Sequence, residues 1–240
     1  MENKKPNFET VFITLDSIKK KIMLEYIIQQ PKTKSKNPPL LVLLHGYGSN
    51  EEDLFSFATE LPDNLLIVSA RAPLSLGFGS YAWYSINFEI DFDRENDKRG
   101  NTKQAQESII KIEEFIDYII DKHQVNKEKI FLLGFSQGAI LSYALAMRNP
   151  SKIKYTLPLS GYINNELIPK NLTVEDCKDL DFFISHGTVD QVLPIDWSRN
   201  SLPILDSLKI KYTFNTYPVG HGVNPQNFAD FKNWIIERLE

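Results

Sequence analysis

Short apolar runs recur along the chain, each bounded by polar or turn residues: 40–44, 65–69, 129–133, 154–159 and 180–185. Several are apolar at consecutive positions, the mark of strands buried on both faces. Between them lie segments with helical spacing. Residues 102–123 form the clearest, with Ile109, Ile112, Ile116 and Ile119 on one stripe and Glu107, Lys111 and Glu114 off it. Further helices are predicted at 51–60 (capped by Ser49 or Asn50), 136–147, 196–208 and 225–239, with Pro203 delaying or kinking the fourth. A last strand is expected at 210–217. Residues 8–15 and 21–28 read as edge strands or a hairpin within the first 30 residues. Residues 71–101 show no clear period and read as a long irregular excursion. Strands alternating with helices predict an α/β fold: one domain over residues 1–240, with a mostly parallel sheet and helices on both faces.

Candidate chemistry centres on Gly134-Phe135-Ser136-Gln137-Gly138. The five-residue pattern arises by chance in roughly one chain of this size in ten. Its weight comes from the flanks, an apolar strand before it and a helix-forming run after it. A serine at such a turn stands clear of the regular backbone, with a helix N-terminus behind it that favours developing negative charge. A serine hydroxyl needs a base, and the base needs an acid to fix its tautomer. For a serine at such a turn the acid and then the base follow later in the chain; the fitting residues are Asp190, in the loop after the strand at 180–185, and His221, flanked by Gly220 and Gly222 after the last strand. Asp181 precedes its strand and is expected at the wrong end of the sheet. Asp196 is a substitute one turn later, though it reads as a helix cap. His123 is expected to face water at a helix end, and His186 to be a packed loop residue. Oxyanion donors are expected in the backbone N–H groups of Gln137 and of Tyr47, within His45-Gly46-Tyr47-Gly48-Ser49. His45 is expected to pin that loop by a hydrogen bond. The aromatics Phe78, Tyr81, Trp83, Tyr84, Phe88 and Phe92 either anchor the excursion or line an acyl pocket, with Trp83 and Tyr84 as candidate substrate-binding residues.

Composition narrows the function classes. The chain has 240 residues, 42% hydrophobic and 24% charged, with a net charge of −4, so nucleic acid is a poor partner. No apolar run follows Met1–Pro6, so no signal peptide is expected. No apolar stretch approaches the ~20 residues of a membrane span. The simplest location is cytoplasmic, with no stable membrane insertion, as monomer or homodimer. Cys177 is the only cysteine; its acidic neighbours raise rather than lower a thiol pKa, which makes it structural. No histidine or cysteine spacing suits a metal. Gly46-Tyr47-Gly48 lacks the third glycine of a dinucleotide fingerprint.

Taken together, Leu44 to Ser49, Ala70 to Pro73, Trp83-Tyr84, Gly134 to Gly138, His186 to Asp190 and Gly220 to Gly222 resemble the carboxylesterase/phospholipase family. Its members include acyl-protein thioesterases and small bacterial esterases. The resemblance runs from about residue 38 to the C-terminus and implies an α/β-hydrolase fold with little or no cap. It also implies a cofactor-free Ser-Asp-His triad and short- to medium-chain acyl esters as small-molecule substrates. Thioesterase members often carry Leu and Asp where this chain has Tyr47 and Ser49, and Asp where it has Ser85. Ala139 replaces a common glycine. The broader expectation is therefore a carboxylesterase, with thioesterase, lysophospholipase and peptidase as alternatives within enzymes. A catalytically silent binding protein is the alternative outside them.

Overall fold

The computed structural model describes residues 23–89 and 100–240. The strand expected at 8–15, the charged run at 91–99 and Phe92 lie outside the described residues. Nine strands are described: β1 (Tyr26–Gln29), β2 (Leu40–Leu44), β3 (Leu66–Ala70), β4 (Leu74–Gly77), β5 (Ser80–Ala82), β6 (Ile130–Phe135), β7 (Tyr155–Leu159), β8 (Asp181–Gly187) and β9 (Lys211–Tyr217). Seven build one sheet in the order β1-β3-β2-β6-β7-β8-β9. Only the edge strand β1 runs antiparallel, pairing Tyr26 with Ala70; the other neighbours are parallel, as expected.

The helices are α1 (Glu52–Phe55), α2 (Thr102–His123), α3 (Gln137–Arg148), α4 (Val174–Cys177), α5 (Ile195–Arg199), α6 (Leu202–Ser207) and α7 (Pro225–Leu239). Side chains on a strand alternate between faces, and the two apolar clusters follow that alternation. Leu40, Val42, Leu44, Ile130 and Leu132 point to one face, against α2 and α3. Leu41, Leu43, Phe131 and Leu133 point to the other, against Leu54 of α1 and Phe231, Trp234 and Ile235 of α7. Burial on both sides is why these strands read as unbroken apolar runs. Helix α2 starts where the side chain of Asn101 accepts the N–H of Gln104 at 3.1 Å, an N-cap that satisfies an otherwise orphaned donor.

Three expectations are corrected. The helix expected at 51–60 is α1 followed by a 3-10 turn at Ala58–Glu60. The helix expected at 196–208 is split into α5 and α6, with Pro203 in the first turn of α6, where a missing N–H costs nothing. The excursion at 71–101 contains the antiparallel pair β4–β5, Leu74 facing Ala82. Its tip runs through Gly77, Phe78 and Gly79, all at positive φ.

Parallel strands align their C-terminal ends on one edge. The chain leaves β2 to build β3 on one side and returns through α2 to build β6 on the other. A crevice at such a switch point, outside the strand carboxyl ends, is where open α/β sheets bind ligands.

Candidate active site

Ser136 occupies the turn between β6 and α3 with φ 53° and ψ −115°. A non-glycine residue there costs about 1–3 kcal/mol and persists only where its surroundings enforce it. The enforcement is visible on both sides. The N–H of Ser136 donates to the Leu159 carbonyl on β7 at 2.9 Å, and its own carbonyl accepts the first helical N–H groups, from Ala139 and Ile140. Close packing of helix on strand completes the grip, since a Cβ on Gly134 would collide with Gly138 and Ser142. The serine is 8% exposed, reachable but sheltered.

The loop after β2 is held against this turn. A Cβ on Gly46 would sit 3.3 Å from the Cβ of Ser136, so the backbone leading into Tyr47 passes directly beside the candidate nucleophile. Gln137 opens α3, where N–H groups of the first turn have no helical partner and point outward. His45 pins the loop as expected. Its Nδ1 lies 2.8 Å from the Gly46 carbonyl, which only accepts, so Nδ1 carries the proton; its Nε2 accepts the N–H of Ala72 at 3.1 Å. Burial pushes the His45 pKa down, against smaller upward pulls from Gly46, Asp53 and Glu51.

Asp190 and His221 meet because their loops leave adjacent parallel strands and are laced together. Thr188 N–H donates to Tyr217 O at 2.8 Å, and Val189 N–H to Val219 O at 3.3 Å. Gly187 packs so tightly on the Val219–Gly220 backbone that it leaves no room for a Cβ. The Nδ1–H of His221 then donates to Asp190 Oδ2 at 2.7 Å. Asp190 Oδ1 accepts the N–H groups of Val192 and Leu193, each at 2.9 Å. Burial alone would raise the Asp190 pKa. Hydrogen bonds from His186, His221 and the Leu193 N–H outweigh it and hold the carboxyl well below the usual range. The His221 ring lies against that of Phe135, the residue before Ser136, with centroids 4.9 Å apart. Its side chain remains 15% exposed.

Other candidates fall elsewhere. Asp181 begins β8 at the opposite edge of the sheet and pairs with Lys211 and Arg238. Asp196 pairs with Arg199 near the surface. His123, expected to face water, is half-buried, and burial lowers its pKa. Cys177 is buried, which pushes its thiol pKa up, with Asp176 adding to the shift. His186, expected in a loop, lies within β8 and touches Asp190.

Trp83 and Tyr84, the candidate substrate-binding pair, lie buried. Trp83 is 0% exposed and Tyr84 5%. The indole N–H of Trp83 donates to the His45 carbonyl at 2.9 Å. Trp83 therefore braces the loop after β2 from beneath. The group that ties this pair to the site was not anticipated. It is the Gln137 side chain, whose Oε1 accepts the N–H of Trp83 and whose Nε2 donates to the Tyr84 carbonyl, both at 2.8 Å. The one available signal was an amide side chain opening an otherwise apolar helix. Of the excursion's aromatics, Phe88 stands exposed with its ring edge-on to Tyr47, centroids 5.8 Å apart.

Among the described residues, no helix is long and apolar enough to cross a membrane. Residues 25–238 match the model of the phospholipase/carboxylesterase family. The chain is 29% identical over 229 residues to acyl-protein thioesterase 1 of Candida albicans, covering 89% of this chain and 97% of that protein. It is 25% identical over 174 residues to a probable SOBER1-like carboxylesterase of Arabidopsis thaliana, covering 70% and 64%. The solved Bacillus cereus carboxylesterase shares the fold with a TM-score of 0.71 at 23% identity, over 90% of this chain and 94% of that one. The chain belongs to the phospholipase/carboxylesterase family and is a carboxylic ester hydrolase with the α/β-hydrolase fold.

Proposed function

We propose that the protein hydrolyses carboxylic esters of short- to medium-chain acyl groups through an acyl-enzyme on Ser136. His221 acts as general base, Asp190 as orienting acid, and the backbone N–H groups of Tyr47 and Gln137 as oxyanion donors. The observation that carries this reading is the 2.7 Å bond between His221 Nδ1 and Asp190 Oδ2, with the His221 ring against the residue preceding a strained Ser136. A proton held on Nδ1 leaves Nε2 bare, the tautomer a base needs.

Ser136 Oγ attacks the ester carbonyl carbon while its proton passes to His221 Nε2. The carbonyl oxygen becomes an oxyanion between the two N–H donors. Collapse breaks the carbon–oxygen bond to the alcohol, which leaves with the proton from His221. Water then attacks the acyl-enzyme while His221 takes its proton; collapse breaks the bond between the acyl carbon and Ser136 Oγ, and His221 returns the proton to Oγ as the acid leaves. Asp190, anionic throughout, stabilises the imidazolium at each stage.

A thioester leaving group is the second reading, favoured by relatives named acyl-protein thioesterase 1. Ser136→Ala tests the shared mechanism: turnover of a p-nitrophenyl acyl ester should fall by several orders of magnitude, and fluorophosphonate labelling should vanish. Near-wild-type turnover would sink the proposal. Matched ester and thioester substrates of varied acyl length then separate the two readings.

A further inference from the structure

We infer that His186 is a positioning residue that locks the carboxylate of Asp190 in the orientation His221 requires; this rests on the triad reading above. His186 lies in β8, its side chain fully buried. Its Nε2 is 2.8 Å from the carbonyl oxygen of Leu193. A carbonyl only accepts, so Nε2 carries the proton. The same nitrogen lies 3.4 Å from Asp190 Oδ2, a longer approach than the one to Leu193.

These contacts close a ring. Leu193 donates its N–H to Asp190 Oδ1 and offers its carbonyl to His186. One residue is thus gripped on both sides, its N–H by the carboxylate and its carbonyl by the buried imidazole. The turn that carries Asp190 is fixed to the rigid strand from which it leaves. With Oδ1 taken by Val192 and Leu193, Oδ2 is the oxygen left facing His221.

The ring's other nitrogen shows that space-filling is a poor account of this residue. Among the described residues, His186 Nδ1 is buried without a hydrogen-bond partner. Burying a polar atom with no partner is destabilising. A leucine or phenylalanine would fill the volume without that cost, and neither could hold the Leu193 carbonyl.

The test compares His186→Leu, which removes the donor, with His186→Gln, whose amide N–H reaches close to the position of Nε2. Outer-shell groups that orient metal ligands contribute about 10–100-fold, and the same range is expected of a group that orients a triad acid. We expect His186→Leu to lower kcat by that range with KM within about twofold, and His186→Gln to recover most of the loss. Wild-type kcat in His186→Leu, or equal losses in both variants, would overturn the inference. Should His186→Leu fail to fold, nitrogen-15 NMR of the wild-type histidines decides: Nε2–H at His186 supports the lock, and Nδ1–H refutes it. Ser136→Ala run alongside keeps the two ideas apart. Residual wild-type activity there removes the triad reading itself, whereas an inactive Ser136→Ala beside an unimpaired His186→Leu removes only the lock.

Discussion

The α-carbon of Gly138 is pressed against the backbone that follows Leu44. A Cβ built on it falls 2.7 Å from the Leu44 carbonyl carbon and 2.8 Å from the His45 oxygen. Helix propensity favours Gly138→Ala by about 1 kcal/mol, but overpacking typically costs about 1–3 kcal/mol. Here the obstacle is backbone rather than a flexible side chain, so the clash wins. The substitution should lower the melting temperature and, by moving the loop that carries Tyr47, reduce kcat by about 100-fold or more. Gly46→Ala meets its neighbours at 3.3 Å and should be the milder of the two. Thermal melts and steady-state kinetics on both variants measure the ordering, and the reverse ordering would refute it.

Asp190→Asn keeps the size of the side chain and loses its charge. The amide can still offer its oxygen to the N–H groups of Val192 and Leu193, but then turns its NH2 toward His221 Nδ1. Two donors cannot face each other, so His221 shifts its proton to Nε2 and loses the lone pair that accepts from Ser136. We expect kcat to fall by roughly 10³–10⁴-fold with little change in fold. Circular dichroism and kcat together check both halves of that statement.

How much of this was legible follows from which interactions are local. Strands β2, β3, β6 and β8 stood out because burial on both faces leaves several consecutive apolar residues in each run. Helix α2 stood out because its apolar stripe lies within one segment. Ser136, Asp190 and His221 could be ordered along the chain because each follows a strand in a parallel sheet. The pair β4–β5 could not be read this way, since Leu76 and Phe78 are exposed and its turn rests on a left-handed Phe78. The roles of Trp83, Gln137 and His186 depend on contacts formed only in the fold. Gln137, for example, meets backbone atoms more than fifty positions away.

Gln137→Leu preserves volume and helical preference but strands two buried backbone groups, the N–H of Trp83 and the carbonyl of Tyr84. At about 1–3 kcal/mol for each unsatisfied group, the variant should lose roughly 2–6 kcal/mol in a chemical denaturation series. Trp83→Phe, losing one bond to the His45 carbonyl and some volume, should lose roughly 2–4 kcal/mol. Because Trp83 is buried scaffold, its effect on KM should be the same for short and long acyl esters. A KM that changes selectively with acyl length would instead put Trp83 in contact with substrate.

His45 gives the fold an acid sensitivity of definite sign. Burial holds its pKa in the folded chain below the ordinary 6.5. Between those two values the unfolded chain binds more protons than the folded one, so stability rises with pH across that window. The contribution is complete above about pH 6.5 and is lost as pH falls below it toward the folded pKa. The structural cause is that Nε2 accepts the N–H of Ala72; once protonated, it repels that donor and loosens the loop beside Ser136. His123, also lowered by burial, contributes with the same sign, so the slope has two sources. In His45→Gln an amide oxygen can still accept from Ala72 and cannot be protonated in this range. The melting temperature of the wild type should therefore drop from pH 7 to pH 5 more steeply than that of His45→Gln. Parallel slopes would mean that His45 is not the group being titrated.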